Sequence, residues 1–180
     1  MDNETLRGLE TVQSFIDSID QRLGQMSDTE VENVLEQFTA ETQPWLINLL
    51  AAIEDDHDVD PGYLAECLFQ VYALHQFYTE VMGLTPETIA ADEIERIIEK
   101  IEKSLDKLIS AHPDGDINPF DLPFLNHDVI KLFFIAWEEH LDELLEYGDL
   151  DEELYEDVWK FYLITLRAYG DQFPDARLTV

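Results

Sequence analysis

Apolar residues recur every three or four positions along nearly the whole chain, and that period admits helices and little else. Leu6, Leu9, Val12, Phe15, Ile16, Ile19 and Leu23 set the pattern, with Gly24 as a stop. Val31, Val34, Leu35 and Phe38 repeat it behind a Ser27 or Asp28 cap, with Glu30 in the first turn. Pro44 predicts a break or kink, and Thr42 is then expected to cap a continuation through Trp45, Leu46, Leu49, Leu50 and Ile53. Pro61 opens a third helix that ends near Gly83 and is apolar almost all round, which predicts a central position. Thr85-Pro86-Glu87 predicts a cap with proline in the first turn of a fourth helix, which is expected to point Ile94, Ile97, Ile98, Ile101, Leu105, Leu108 and Ile109 inward. Its outer face mixes signs, with Glu95, Glu99, Lys103 and Lys107 one turn apart. A fifth helix is expected from about Asp128 to Tyr147 and a sixth from about Leu150 to Tyr169. The stretch from Pro113 to Asn126 has three prolines and a glycine and predicts an irregular connection. No segment alternates like a strand. The expectation is all-α: residues 1–180 as a single acidic domain, an antiparallel helical bundle of six or seven helices.

Charge is the second constraint. The 180 residues carry 41 Asp and Glu against 10 Lys and Arg, a formal charge of −31. Self-repulsion on that scale opposes compaction, yet ten Phe, seven Tyr and three Trp supply a core that acidic disordered tails lack. The acidity is also unevenly placed. No Lys or Arg occurs between Arg22 and Arg96, nor between Lys131 and Lys160. Inside the second gap, Glu138 to Asp157 puts eleven carboxylates in twenty residues.

On a helix, Glu138, Asp142 and Glu146 form one row, with Glu139 and Glu143 beside it. Asp149, Glu153 and Asp157 form a second row, and Glu152 and Glu156 a third. A turn rises about 5.4 Å, so each row spaces its carboxylates at roughly 6 Å. Phosphates repeat with a rise of about 3.4 Å per nucleotide and a larger direct separation. Such rows approach the charge density of a nucleic-acid backbone and suit the Lys/Arg groove of a nucleic-acid-binding protein. The plain alternatives are solvated helix faces that confer solubility, and adaptation to high salt. Salt-adapted proteins usually trim large apolar side chains, whereas this chain is rich in Phe, Ile and Leu. In size, charge and helicity the chain resembles phage-borne DNA-mimic inhibitors and immunity proteins that neutralise basic nuclease toxins. No motif is shared, so no residue role follows from that resemblance.

One stretch has specific spacing. Asp114-Gly115-Asp116-Ile117-Asn118-Pro119-Phe120-Asp121 resembles the second half of an EF-hand or dockerin-type calcium loop. The resemblance implies a calcium site at Asp114, Asp116, Asn118 and Asp121 within residues 110–121. Ser110 and His112 stand where the pattern expects acidic ligands, and Asp121 replaces the closing Glu. The competing reading is a proline-rich connection whose Asp and Asn form turns with their own backbone.

No enzyme signature is present. Glu54-x-x-His57 occurs once, whereas a di-iron bundle needs two copies and two further carboxylates. His75 is expected to be a core histidine bonded to a tyrosine or to backbone. Cys67 has no cation near it in sequence and is expected to be inert. As the lone cysteine it forms no internal disulfide, which fits a reducing cytoplasm. Trp45, Trp137 and Trp159 fall at core spacing, though any of them suits an interface anchor. The start, Met1-Asp2-Asn3-Glu4, predicts no signal peptide, and no apolar run is long enough to span a bilayer.

The expected function is binding, not catalysis. The leading reading is an acidic inhibitor, DNA-mimic or immunity-like, that covers a basic surface of a partner protein, with no direct nucleic-acid or membrane contact. Its expected contact residues are Glu138, Glu139, Asp142, Glu143, Glu146, Glu152, Glu153, Glu156 and Asp157. Two alternatives are a helical adaptor or assembly chaperone that uses an apolar groove, and a calcium-responsive module. No cofactor other than calcium is expected, and the oligomeric state is open.

Overall fold

Seven α-helices and no strand make up the described residues, which in this computed structural model are 3–57, 59, 61–111, 118–146 and 152–178. The helices are α1 (Asn3–Leu23), α2 (Asp28–Gln37), α3 (Trp45–Asp56), α4 (Pro61–Gln76), α5 (Ala91–Ala111), α6 (Asp128–Glu146) and α7 (Glu152–Gln172). None of the described helices is long and apolar enough to cross a membrane.

One contiguous core draws buried side chains from α1 and from α3 through α7. Its centre is a run of rings, Phe15–Phe77–Phe133–Trp137–Tyr162, with successive centroids 4.5–5.8 Å apart. Each such buried side chain contributes about 1.5–3 kcal/mol. A like-charged pair one turn apart costs only about 0.2–0.5 kcal/mol. Packing therefore outweighs the local repulsion on the acidic faces. The weakest docking is that of α2, which has no buried residue and rests Val31 and Val34 on a small cluster around Ile19, Leu23 and Ala73.

The start of α2 is fixed locally. Ser27 Oγ accepts from the Glu30 amide and the Glu30 carboxylate accepts from the Ser27 amide, a reciprocal capping box. At the other end the chain passes through a π turn (Phe38–Thr42) and breaks at Gln43, after which α3 starts behind Pro44. Thr42 does not cap α3. The cap position falls on Pro44, which makes no side-chain hydrogen bond. After a second π turn (Phe77–Val81), Gly83 takes a left-handed φ of 64° that lets Leu84 N–H return to the Tyr78 carbonyl at 2.9 Å.

The Thr85-Pro86-Glu87 cap is also corrected, because α5 begins only at Ala91. Two distant glutamines explain the delay. Gln43 Nε2 and Gln172 Nε2 donate to the Glu87 carbonyl, and Gln172 Oε1 accepts from the Glu87 amide. With its backbone groups satisfied from outside, this segment has no need of a helix. Residues 118–126, expected to be irregular, form two short 3-10 turns that bury Leu122, Phe124 and Leu125.

The helix pair α6 and α7 is antiparallel: Asp142 meets Tyr155, and Ile130 lies where a Cβ on Gly170 would stand. Helix α1 lies along α6 in the same sense, Gly8 against Leu132 and Gln13 at Glu139. A Cβ on Gly8 would sit 2.7 Å from Leu132 Cδ1, so the close approach of α1 depends on the missing side chain.

Candidate functional site

Helix α6 changes character within one peptide bond. Val129, Ile130 and all residues from Leu132 to Trp137 are buried, and from Glu138 onward carboxylates appear. The helix is thereby anchored by its first half and presents charge on its second. Antiparallel α7 brings Glu153 and Glu156 alongside, so the acidic ends of both helices share one edge of the bundle.

Glu138 is half-buried. It lines a groove of about 420 Å³ with Glu156, Tyr155, Trp159, Lys160, Leu105 and Ile109. Burial pushes its pKa up, the neighbouring Asp142 adds to that, and a hydrogen bond from the Trp159 indole opposes it. Asp142 Oδ1 accepts from the Tyr155 hydroxyl at 2.9 Å. Burial, the hydrogen bond to Asp142 and the nearby negative charges push the Tyr155 phenol up, so it remains a donor. Glu139 points the other way, toward α1, and accepts from Gln13 Nε2 at 3.1 Å. Glu153 and Glu156 are exposed. Lys131 is the cation nearest this group along α6. It lies over the Phe120 ring, 5.8 Å from the centroid.

Two of these carboxylates, Glu139 and Asp142, thus accept from neutral donors, an amide and a phenol. Among the described residues neither they nor Glu138 make an ion pair, although Lys131 lines a pocket with all three and Lys160 lines the groove with Glu138. Asp157 differs. It turns toward the end of α3, where His57 Nε2 lies 2.9 Å from Oδ2 and Lys160 Nζ 3.5 Å from Oδ1. The His57 hydrogen bond, with Lys160 assisting, holds its pKa below the usual carboxylate range. The row of Glu153 and Asp157 expected on one face is therefore split between solvent and α3. The side chains of Glu143, Glu146 and Glu152 lie outside the described residues.

Of the calcium-loop residues, Asp114 and Asp116 lie outside the described residues. Asn118 Oδ1 accepts from the Phe120 amide at 3.1 Å, and the Asp121 amide donates to the Asn118 carbonyl at 3.0 Å. These are turn contacts of the chain with itself. Among the described residues no three His, Cys, Asp or Glu side chains are grouped so as to hold a metal ion.

His75 Nδ1 lies 3.0 Å from the Tyr169 hydroxyl, and burial holds its pKa below the usual histidine range. Cys67 is buried, and burial pushes its thiol up to about 12. Trp45 and Trp137 are buried and Trp159 is half-buried at the groove. The residues that position the carboxylates, Gln13, Tyr155 and Trp159, carry no motif; only helical register across two contacts would have found them. No protein-family model, curated protein sequence or solved structure matches this chain.

Proposed function

We propose that this protein acts by binding, as an inhibitor of the DNA-mimic or immunity type that covers a basic, nucleic-acid-binding surface of a partner protein in the cytoplasm. The observation that carries the reading is the set of Glu138, Glu139 and Asp142 on one edge, the last two bonded to the neutral side chains of Gln13 and Tyr155, with no ion pair to any of the three among the described residues. Carboxylates held in place before binding lose little side-chain entropy on meeting a Lys/Arg surface. Exposed Glu153 and Glu156 extend the same edge and raise the rate of encounter. The test is a pull-down with the tagged chain from nuclease-treated host lysate, eluted by a salt gradient, beside a variant carrying Glu139→Gln, Glu153→Gln and Glu156→Gln. A nucleic-acid-binding protein that elutes at moderate salt, yields to duplex DNA and is lost from the variant supports the reading. A partner that persists through high salt and ignores both DNA and the variant overturns it.

A second reading has an observation of its own. Leu105, Ile109 and Trp159 give the groove an apolar floor, and Ile109 is 54% exposed. An adaptor or assembly chaperone would use that floor, with the acidity serving solubility. Its binding would fall with Ile109→Asp and be unmoved by the three glutamine substitutions.

A further inference from the structure

On the opposite side of α6 from the groove, an open-mouthed polar pocket of about 380 Å³ lies between α1, α4 and α6. Gln13 and Asp17 of α1, Gln70 of α4, and Glu139 and His140 of α6 line it. Gln70 is 6% exposed, and its Oε1 has no hydrogen-bond partner. The amide orientation is fixed because Nε2 donates to Glu66 Oε1 at 2.9 Å, which leaves the carbonyl as the unanswered atom. A buried acceptor without a donor is costly, and here it lines an open cavity. His140 Nε2 is a second buried atom without a hydrogen bond; its nearest ionic neighbour is Glu66 Oε1 at 3.7 Å. The surrounding charges, Asp17, Glu139 and Glu66, are all negative.

We infer that this pocket receives a single guanidinium group, the side chain of an arginine on the partner's basic surface. The chemistry selects such a ligand. The pocket offers several acceptors at separate places, and a guanidinium carries five N–H donors in a fixed planar fork. A bare divalent ion needs ligands converging within about 2.6 Å, whereas no such grouping occurs among the described residues. Gln70 lies at the inner end of the pocket, and its Oε1, closed to solvent in the free chain, accepts one N–H once the side chain yields to the incoming group; exposed Asp17 and Glu139 take the charge. The Gln13 bond to Glu139 holds that carboxylate in place. This assignment rests on the reading of the chain as a binder of basic protein surfaces, and it names the anchor of that interface.

The test uses the full chain, nitrogen-labelled, titrated with N-acetyl-arginine methylamide and followed by NMR. Saturable shifts are expected at the Gln70 side-chain amide and at His140, with weaker ones from the matching lysine amide and from putrescine. Gln70→Leu is expected to fold with an unchanged or higher Tm, because it removes an unsatisfied acceptor, and to weaken the arginine probe about tenfold or more. Asp17→Asn, a change at the exposed rim, should weaken it about fivefold whatever the fate of the first variant. Shifts spread evenly over all acidic residues, binding that survives both variants, or lysine or putrescine binding as tightly would each overturn the assignment. The two readings separate cleanly. If the probe fails here while basic partners are still captured at moderate salt, the pocket is wrong and the inhibitor reading stands. If the probe binds but a partner is kept through high salt by a Glu153→Gln, Glu156→Gln variant, which leaves the pocket intact, the pocket stands and the inhibitor reading falls.

Discussion

Two acidic faces of this molecule are built on opposite rules. On α5, negative charge is answered on the same helix: Arg96 reaches Glu93 at 2.9 Å and Asp92 at 3.5 Å, and Lys103 reaches Glu99 at 3.5 Å. These pairs are exposed and each contributes little, about 0.2–1 kcal/mol. On the α6–α7 edge, Glu139 and Asp142 are answered from other helices by groups that carry no charge, and Lys131, which shares a pocket with them, makes no ion pair to either among the described residues. The first arrangement neutralises carboxylates and leaves them mobile; the second orients them and leaves them charged. An ordinary solvated surface is made in the first way. The second suits a face that meets positive charge supplied from outside.

The contrast can be broken most severely from beneath. Trp137 is fully buried one residue before the acidic half of α6, its ring centroid 4.5 Å from that of Tyr162 at a tilt of 34°. Trp137→Ala should cost about 3–5 kcal/mol in urea unfolding and disorder the α6–α7 edge while leaving the local α5 pairs intact. Next in size, reversal of Glu139, Glu153 and Glu156 to Lys should weaken capture of a basic partner about a hundredfold or more at low salt and flatten its salt dependence. Reversal of Glu95, Glu99 and Glu102 on α5 should change it by less than about threefold. A smaller effect isolates orientation from charge: Tyr155→Phe removes the hydroxyl from Asp142 and should cost about 1 kcal/mol in stability. It should also slow partner binding without altering net charge.

The smallest effect is a matter of pH. Glu138 holds its proton more tightly in the folded state than in the unfolded chain, so folding stability falls as pH rises through the ordinary carboxylate range toward the raised value. Glu138→Gln should therefore raise Tm slightly at pH 7. The advantage should vanish in acid below the unfolded pKa of about 4.3, where both forms are neutral. An advantage that persists in acid would mean packing, not charge, is responsible.

Much of the fold is legible in the sequence because it is local. The apolar period of α1 and α5 and the Ser27–Glu30 box depend on residues within one or two turns of each other. Features that escape a sequence reading depend on distance. Thr85-Pro86 has a cap's composition, but Gln43 and Gln172 lie 44 and 85 residues from the Glu87 they bind. Leu122, Phe124 and Leu125 sit among prolines and still reach the core. Asp157 shares its row with Glu153 in the sequence, yet His57, 100 residues away, draws it aside. The acidic edge was legible as composition; the neutral donors beside it were not, since Gln13 comes from α1 and Tyr155 from α7, and only the packing of both helices on α6 brings them to it.

The Gln43–Glu87–Gln172 clasp has a dynamic consequence. Gln43 is fully buried, and besides bonding Glu87 its Oε1 accepts from the Trp45 indole at 2.7 Å and from the Ile89 amide at 3.4 Å. Amide protons normally exchange with solvent quickly wherever regular structure is absent. Here the acceptors are side chains, buried Gln43 for Ile89 and the partly exposed Gln172 for Glu87, so the Ile89 amide opens only if residues 85–90 leave the start of α3, and the Glu87 amide only if they leave the end of α7. A stretch of chain with no helix of its own then keeps its protons on the timescale of the helices it ties.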